Sequence, residues 1–403
     1  MAAPHPATKI DDVARPFRIA VGQDVLDDLK LRLERTRWPA SDADPASWDS
    51  GISYAYLREL VDYWRTTFDW RARERDLSRF AHYTIALHDT TVHFIHAAGR
   101  GAAPVPLVLT HGFPDSFARF LDVIELLTDP PDPRDAFDVV VPSLPGFAFS
   151  SGPTAKSDLF HVADRWHDLM TALGYSRYGA HGGDWGSTIT EHLARSHGDA
   201  VVGIHLTDVP FWHALRRPDD ATHAERKYLD AIETFQKAEG AYALIQGTRP
   251  QSLAVGLDDS PAGLAAWLVD FFWRWSDCDG DIERRFTKDE LLTNVMLYWI
   301  TGSIGTSFAP YHAVTSARAP RWIAEQVKQW LGSSRKVPAG FAMFPKDLSH
   351  PPREWAERFF AVTRWTEMPR GGHFAALEEP ELLAEDIRAF FRPLRANAGT
   401  RPR

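Results

Sequence analysis

The sequence predicts an α/β fold, a mostly parallel sheet with helices on both faces, with an N-terminal meander and a helical lid insertion. Three observations predict it. Short apolar runs alternate with amphipathic helical segments through the middle of the chain, a long stretch without strand signal follows, and strands return only near the C-terminus.

Taken in order, residues 1–13 are a polar tail. Val25, Leu26, Leu29 and Leu33 recur at helical spacing, and Pro39 stops that pattern. A second helix is expected over 54–67. Strands are expected to begin only at 83–87 and 92–97, around a turn at His88-Asp89. The run 105–110 is apolar throughout, as a strand covered on both faces should be. Then follow helix 117–127, strand 138–141, helix 160–173, strand 177–181, helix 185–197 and strand 201–206. From Pro210 to Val337 only helical patterns occur, and strands return at 341–344 and 364–367 before a closing helix over 381–391. The organisation expected is an extension over 1–80, a core over 81–209 and 338–403, and the lid over 210–337.

Composition narrows the partners. The chain has 403 residues, 44% of them hydrophobic, enough for one large core plus an insertion. A net charge of −9 argues against a nucleic-acid partner. Cys278 is the single cysteine, so neither an intrachain disulfide nor a cysteine metal centre is expected. Residues 1–10 lack the apolar core of a signal peptide, and no apolar run approaches the ~20 residues of a membrane span. A cytoplasmic protein without membrane contact, metal or cofactor is expected, with a homodimer as the default assembly.

The chemistry centres on Gly182-Gly-Asp-Trp-Gly186, between a strand and a helix. A capped glycine turn would give such a string. So would the nucleophile elbow of the α/β-hydrolase fold, with Asp184 at the nucleophile position. His111-Gly-Phe-Pro114 follows the strand 105–110, where that fold places half of its oxyanion hole. The N–H groups of Phe113 and Trp185 are the candidates. His373, in Arg370-Gly-Gly-His-Phe374, follows the last strand and is the candidate base. Asp347, just past the strand 341–344, is the candidate acid orienting it, with Asp208 as its rival. Asp184, Asp347 and His373 then stand in the chain order of this fold.

An aspartate nucleophile restricts the reaction. A carboxylate is ionised at neutral pH and attacks without a base. It can displace a leaving group from saturated carbon, forming an ester that water then opens at the Asp carbonyl. Epoxides and alkyl halides both fit. An epoxide oxygen leaves as an alkoxide and needs a proton donor, for which a phenol of pKa ~10 is suited. Tyr242, Tyr298 and Tyr311 lie in the lid segment, and spacing does not choose among them.

The chain resembles microsomal-type epoxide hydrolases and their soluble relatives from about Arg15 to Phe391. The resemblance rests on Arg15-Pro-Phe-Arg-Ile with Leu33-Glu-Arg-Thr-Arg-Trp-Pro39, Pro142-Ser-Leu-Pro-Gly-Phe147 and the elbow extended to Ser187. It also rests on Asp259-Ser-Pro-Ala-Gly-Leu-Ala-Ala266, Leu292-Thr-Asn-Val-Met-Leu-Tyr-Trp299 and Met368-Pro-Arg-Gly-Gly-His-Phe-Ala-Ala-Leu-Glu-Glu-Pro380. It implies a small-molecule epoxide as substrate, Tyr242 and Tyr311 as the activating tyrosines, and Asp347 as the acid. Tyr298 becomes structural. Phe308-Ala-Pro310 departs from the pattern beside the second tyrosine. Phe113, Phe147 and Trp185 are the expected pocket wall. A haloalkane dehalogenase would share Asp followed by Trp, but it needs a second halide donor where this chain has Phe113. A ligand-binding relative without activity is the other alternative.

Overall fold

The protein is described by a computed structural model covering residues 10–397, apart from 42–43, 153–158, 216 and 316–336. Residues 1–9 of the expected tail and 316–336 of the expected lid lie outside the described residues. One sheet contains β1 (Arg15–Phe17), β2 (Ala81–Leu87), β3 (Thr90–Ala97), β4 (Val105–Thr110), β5 (Phe137–Pro142), β6 (Tyr178–Gly182), β7 (Val201–Leu206), β8 (Pro338–Met343) and β9 (Ala361–Glu367). Their spatial order is β1-β2-β3-β5-β4-β6-β7-β8-β9.

The first three strands and the β3–β5 pair are antiparallel; from β5 to β9 the sheet is parallel. Every residue of β4, β5, β6 and β7 is buried, which explains why these strands read as apolar runs. β4 lies between β5 and β6, so the chain leaves β4 toward one side and later returns on the other. Such a switch point opens a crevice at the carboxyl ends of the strands. The loops after β4 and β6, carrying Phe113 and Asp184, emerge side by side there.

Two local expectations are corrected. A strand precedes residue 83 after all, because β1 pairs Arg15–Phe17 with His82–Thr84. Three residues are too few to show a period of two, so the sequence carried no signal for it. The helix expected over 117–127 opens as a tight 3₁₀ turn, Phe117–Phe120, before Leu121–Thr128 continues it.

Between β7 and β8 the described residues contain helices and no strand, including His223–Glu239, Ala241–Thr248, Pro250–Asp259, Pro261–Trp275, Lys288–Thr301 and Ala309–Thr315. Local chemistry sets their ends. Thr222 with Glu225 and Thr287 with Glu290 form capping boxes, Pro250 and Pro261 occupy first positions, and Gly302 ends its helix at φ 58°. Leu264, Leu268, Phe271, Phe272 and Trp275 give Pro261–Trp275 a continuous buried stripe.

The N-terminal meander straps this lid. Helix Tyr54–Thr66 buries Leu57, Leu60, Val61 and Trp64. Its Tyr63 hydroxyl donates to Asp289 at 3.0 Å, and Glu59 pairs with Lys288 at 2.9 Å. Arg32 donates to both the carbonyl and the carboxylate of Asp259 at 2.7 and 2.8 Å. Trp48 stacks on Trp273 with centroids 4.8 Å apart. Among the described residues no helix is long and apolar enough to cross a membrane.

Candidate active site

The chain after β6 must turn into helix Trp185–Ser196 within two residues, and its glycines permit this. A Cβ on Gly182 would lie 2.2 Å from the Gly186 carbonyl oxygen, and one on Gly186 would lie 2.1 Å from that of Thr110. Side chains are excluded where strand, helix and β4 converge. Asp184 adopts φ 57°, a conformation costing a non-glycine residue about 1–3 kcal/mol. Asp208, at the end of β7, braces it by accepting the Asp184 N–H at 3.0 Å and the Ser187 hydroxyl. Burial, then the Asp347 charge, push the Asp208 carboxyl up to about 7.

Phe113 donates its backbone N–H to Asp184 Oδ1 at 2.9 Å. The approach needs Gly112, since a Cβ there would sit 2.3 Å from the same oxygen. Trp185 is the first residue of its helix, so its N–H has no partner within that helix. On the other side, His373 Nε2 lies 3.5 Å from Asp184 Oδ2 and His373 Nδ1 lies 2.7 Å from Asp347 Oδ1. Asp347 Oδ1 also accepts the Leu348 N–H at 2.6 Å. Burial alone would push the imidazole pKa down, but Asp347 and Asp184 outweigh it and raise it to about 10.

Tyr242 and Tyr311 of the lid come together, ring centroids 5.9 Å apart. Tyr311 packs edge-to-face on Trp185 at 4.9 Å and on Phe113 at 5.6 Å. Tyr242 packs on Trp275 at 5.2 Å, and Trp275 on His373 at 5.3 Å. Burial raises both phenols above their ordinary pKa, with the Asp184 charge adding to it. Tyr298 is placed differently, its hydroxyl donating to the Asp115 carbonyl at 2.9 Å. Of the expected pocket wall, Phe113 and Trp185 touch Tyr311, whereas Phe147 packs against His111 and Tyr298.

With this geometry in place, comparison with known proteins is informative. Residues 14–120 match the family model described as the epoxide hydrolase N terminus, and 105–247 match that of the alpha/beta hydrolase fold. Epoxide hydrolase 1 of Sus scrofa is 34% identical over 96% of this chain and 90% of its own. The chain belongs to the epoxide hydrolase family. The structure of the Aspergillus niger epoxide hydrolase superposes with a TM-score of 0.82 at 30% identity, covering 94% of this chain and 96% of that one. The juvenile hormone epoxide hydrolase of Bombyx mori gives 0.82 at 28% identity, covering 95% and 94%.

In this epoxide hydrolase fold, several residues around the site escaped the sequence reading. Arg119 and Asp115 form a buried ion pair at 2.5 Å, and Arg119 donates to the His373 carbonyl at 3.2 Å. Asp115 also accepts the Gly112 N–H at 3.1 Å, and Asn294 of the lid donates to the Pro114 carbonyl at 2.8 Å. Thus the loop carrying Phe113 is gripped from the core and from the lid. Asp115 lies before the 3₁₀ turn Phe117–Phe120 and not in a helix, so no helical spacing marked its pairing with Arg119. Asn294 lies 180 residues from its partner, beyond any local pattern.

Proposed function

We propose that this protein converts an epoxide and water to a vicinal diol through an ester on Asp184. One observation carries the reading: a carboxylate stands at a strained elbow, one oxygen accepting the Phe113 N–H and the other facing His373 at 3.5 Å.

Asp184 Oδ2 attacks a ring carbon, and the carbon–oxygen bond breaks with its electron pair moving to the ring oxygen. Tyr242 and Tyr311, whose raised pKa values keep them protonated, hydrogen-bond that oxygen and supply its proton. The imidazolium of His373 restores the phenol. Alkylation converts Asp184 to a neutral ester, which removes one of the two anions holding the imidazole proton. His373 is then free to act as a base.

Water next attacks Cγ of Asp184 and gives a proton to His373, with Asp347 holding Nδ1. The resulting oxyanion accepts N–H bonds from Phe113 and Trp185. Collapse breaks the bond to the alkyl oxygen, which takes up the second water proton, and the Asp184 carboxylate is restored. The aromatic wall of Phe113 and Trp185 suits an apolar substituent on the epoxide.

Single turnover in ¹⁸O-water tests the ester, with styrene oxide as probe. The first label is expected in Asp184 and not in the diol. In His373→Gln the alkyl-enzyme should accumulate as a mass increase, its hydrolysis slowed ~10²–10⁴-fold. Label in the first-turnover diol would overturn the ester, and wild-type turnover in His373→Gln would remove His373 from the reaction.

A further inference from the structure

The loop that carries His373 has an unusual accounting of backbone donors. Four consecutive N–H groups, 371 to 374, are all engaged. Gly371 donates to Asp277 Oδ2 at 2.9 Å, Gly372 to Glu378 Oε2 at 2.9 Å, His373 to the Trp275 carbonyl at 2.8 Å and Phe374 to Glu378 Oε1 at 2.9 Å. Glu378 Oε2 also accepts the Asp277 N–H at 2.7 Å. One buried carboxylate therefore joins the peptide groups on both sides of His373 to the segment leaving lid helix Pro261–Trp275. A water-filled turn would satisfy the same donors. A buried carboxylate doing so fixes their direction as well.

We propose that Glu378 is a positioning residue for ester hydrolysis, tying the His373 loop to the lid so that the imidazole stays aligned on Asp184 and Asp347. The inference rests on the proposed role of His373 as base. Attack by Asp184 on the epoxide needs no base, and His373 restores the phenol only after the ring has opened, so Glu378 should govern the second half-reaction far more than the first.

The charged groups around Glu378 are Arg285 and Asp277 of the lid segment, and Arg370, His373 and Glu379 on its own side. Arg285 pairs with Asp277 at 2.9 Å and with Glu379 at 2.8 Å, and Arg370 with Glu379 at 2.7 Å. Burial pushes the Glu378 carboxyl up to about 7, against the opposing pull of its N–H donors and Arg285. Above that pH the carboxylate accepts all three N–H groups. Below it, the added proton turns one acceptor site into a donor facing donors, and the grip loosens.

Glu378→Gln keeps the shape but puts an amide donor where an acceptor is needed. Rapid-quench measurement with styrene oxide should show alkylation within about twofold of wild type and hydrolysis slowed about tenfold or more. The wild-type hydrolysis limb near pH 7 should be missing from the variant. Equal slowing of both steps would mean a general structural role, and no slowing would mean no role; either overturns the inference. Absence of any ester in wild type would instead refute the proposed function. Hydrogen exchange on the wild-type protein gives a check that does not depend on the variant folding. Peptides covering 276–278 and 371–375 should show higher protection factors at pH 8 than at pH 6, and equal factors would overturn the inference.

Discussion

Asp184 and Tyr311 meet at Phe113, whose N–H binds the one and whose ring packs on the other, but they are held by different forces. Asp184 is fixed by directional bonds from two neighbouring strand ends, the Phe113 N–H beyond β4 and the Asp208 carboxyl beyond β7. Tyr311 is held by ring contacts with Trp185, Phe113 and Tyr242. Charge at the sheet edge thus has a fixed geometry, while the lid presents its phenols by packing. Directional bonds fail when one partner is removed, because the other is left buried and unpaired. A Tyr→Phe change keeps the ring and its packing and gives up only the hydroxyl's own hydrogen bonds. The two halves of the site should therefore respond to substitution in opposite ways.

The largest contrast is expected in rate. Tyr242→Phe with Tyr311→Phe should lower alkylation by ~10²–10⁴-fold, with unfolding midpoints close to wild type. In the proposed reaction both phenols bond the same oxygen, so each single change should cost less. Tyr298→Phe should leave alkylation near wild type, because its hydroxyl is committed to the Asp115 carbonyl. Stopped-flow Trp fluorescence would measure this, and a larger loss from Tyr298→Phe than from Tyr311→Phe would reverse the assignment.

On the sheet side the main effect is expected in stability. Asp115→Ala leaves the Arg119 guanidinium, 3% exposed, without its ion-pair partner, and should cost about 3–5 kcal/mol in urea unfolding. A loss as small as that of the double tyrosine variant would erase the distinction between the two halves.

A smaller and sharper effect concerns Asp208. Its folded pKa of about 7 stands above the ordinary 3.9 of an unfolded aspartate. A carboxyl so raised favours the folded state at low pH, and that contribution is lost as pH rises from about 4 through 7. Asp208→Asn should therefore gain on wild type over this window and run parallel to it above. Thermal melts from pH 4 to 8 would show it, and a pH-independent gap would mean that Asp208 does not titrate there.

What the sequence made legible follows the range of the interactions. The buried strands and the elbow were readable because apolar runs and glycine spacing are local. The chain order of Asp184, Asp347 and His373 was readable because the fold fixes it. β1 was missed for its brevity, and helix Trp70–Leu77 went unread because five of its eight residues are charged. The web around His373 was invisible for another reason. Glu378 meets Asp277 across 101 residues and Arg285 meets Glu379 across 94, and no periodicity links such positions.

The strap of the N-terminal meander over the lid has a consequence for how the chain is made. Arg32 and its partner Asp259 are 227 residues apart. At 5–20 residues per second, roughly 10–45 s of synthesis separate them. Through that interval helix Gln23–Glu34, with Leu29 and Leu33 buried in the finished protein, has helix Tyr54–Thr66 to pack on but not helix Pro261–Trp275 of the lid. Contacts of such long sequence separation also slow the final closure of the fold. A segment made well before the lid is thus among the last to find its place.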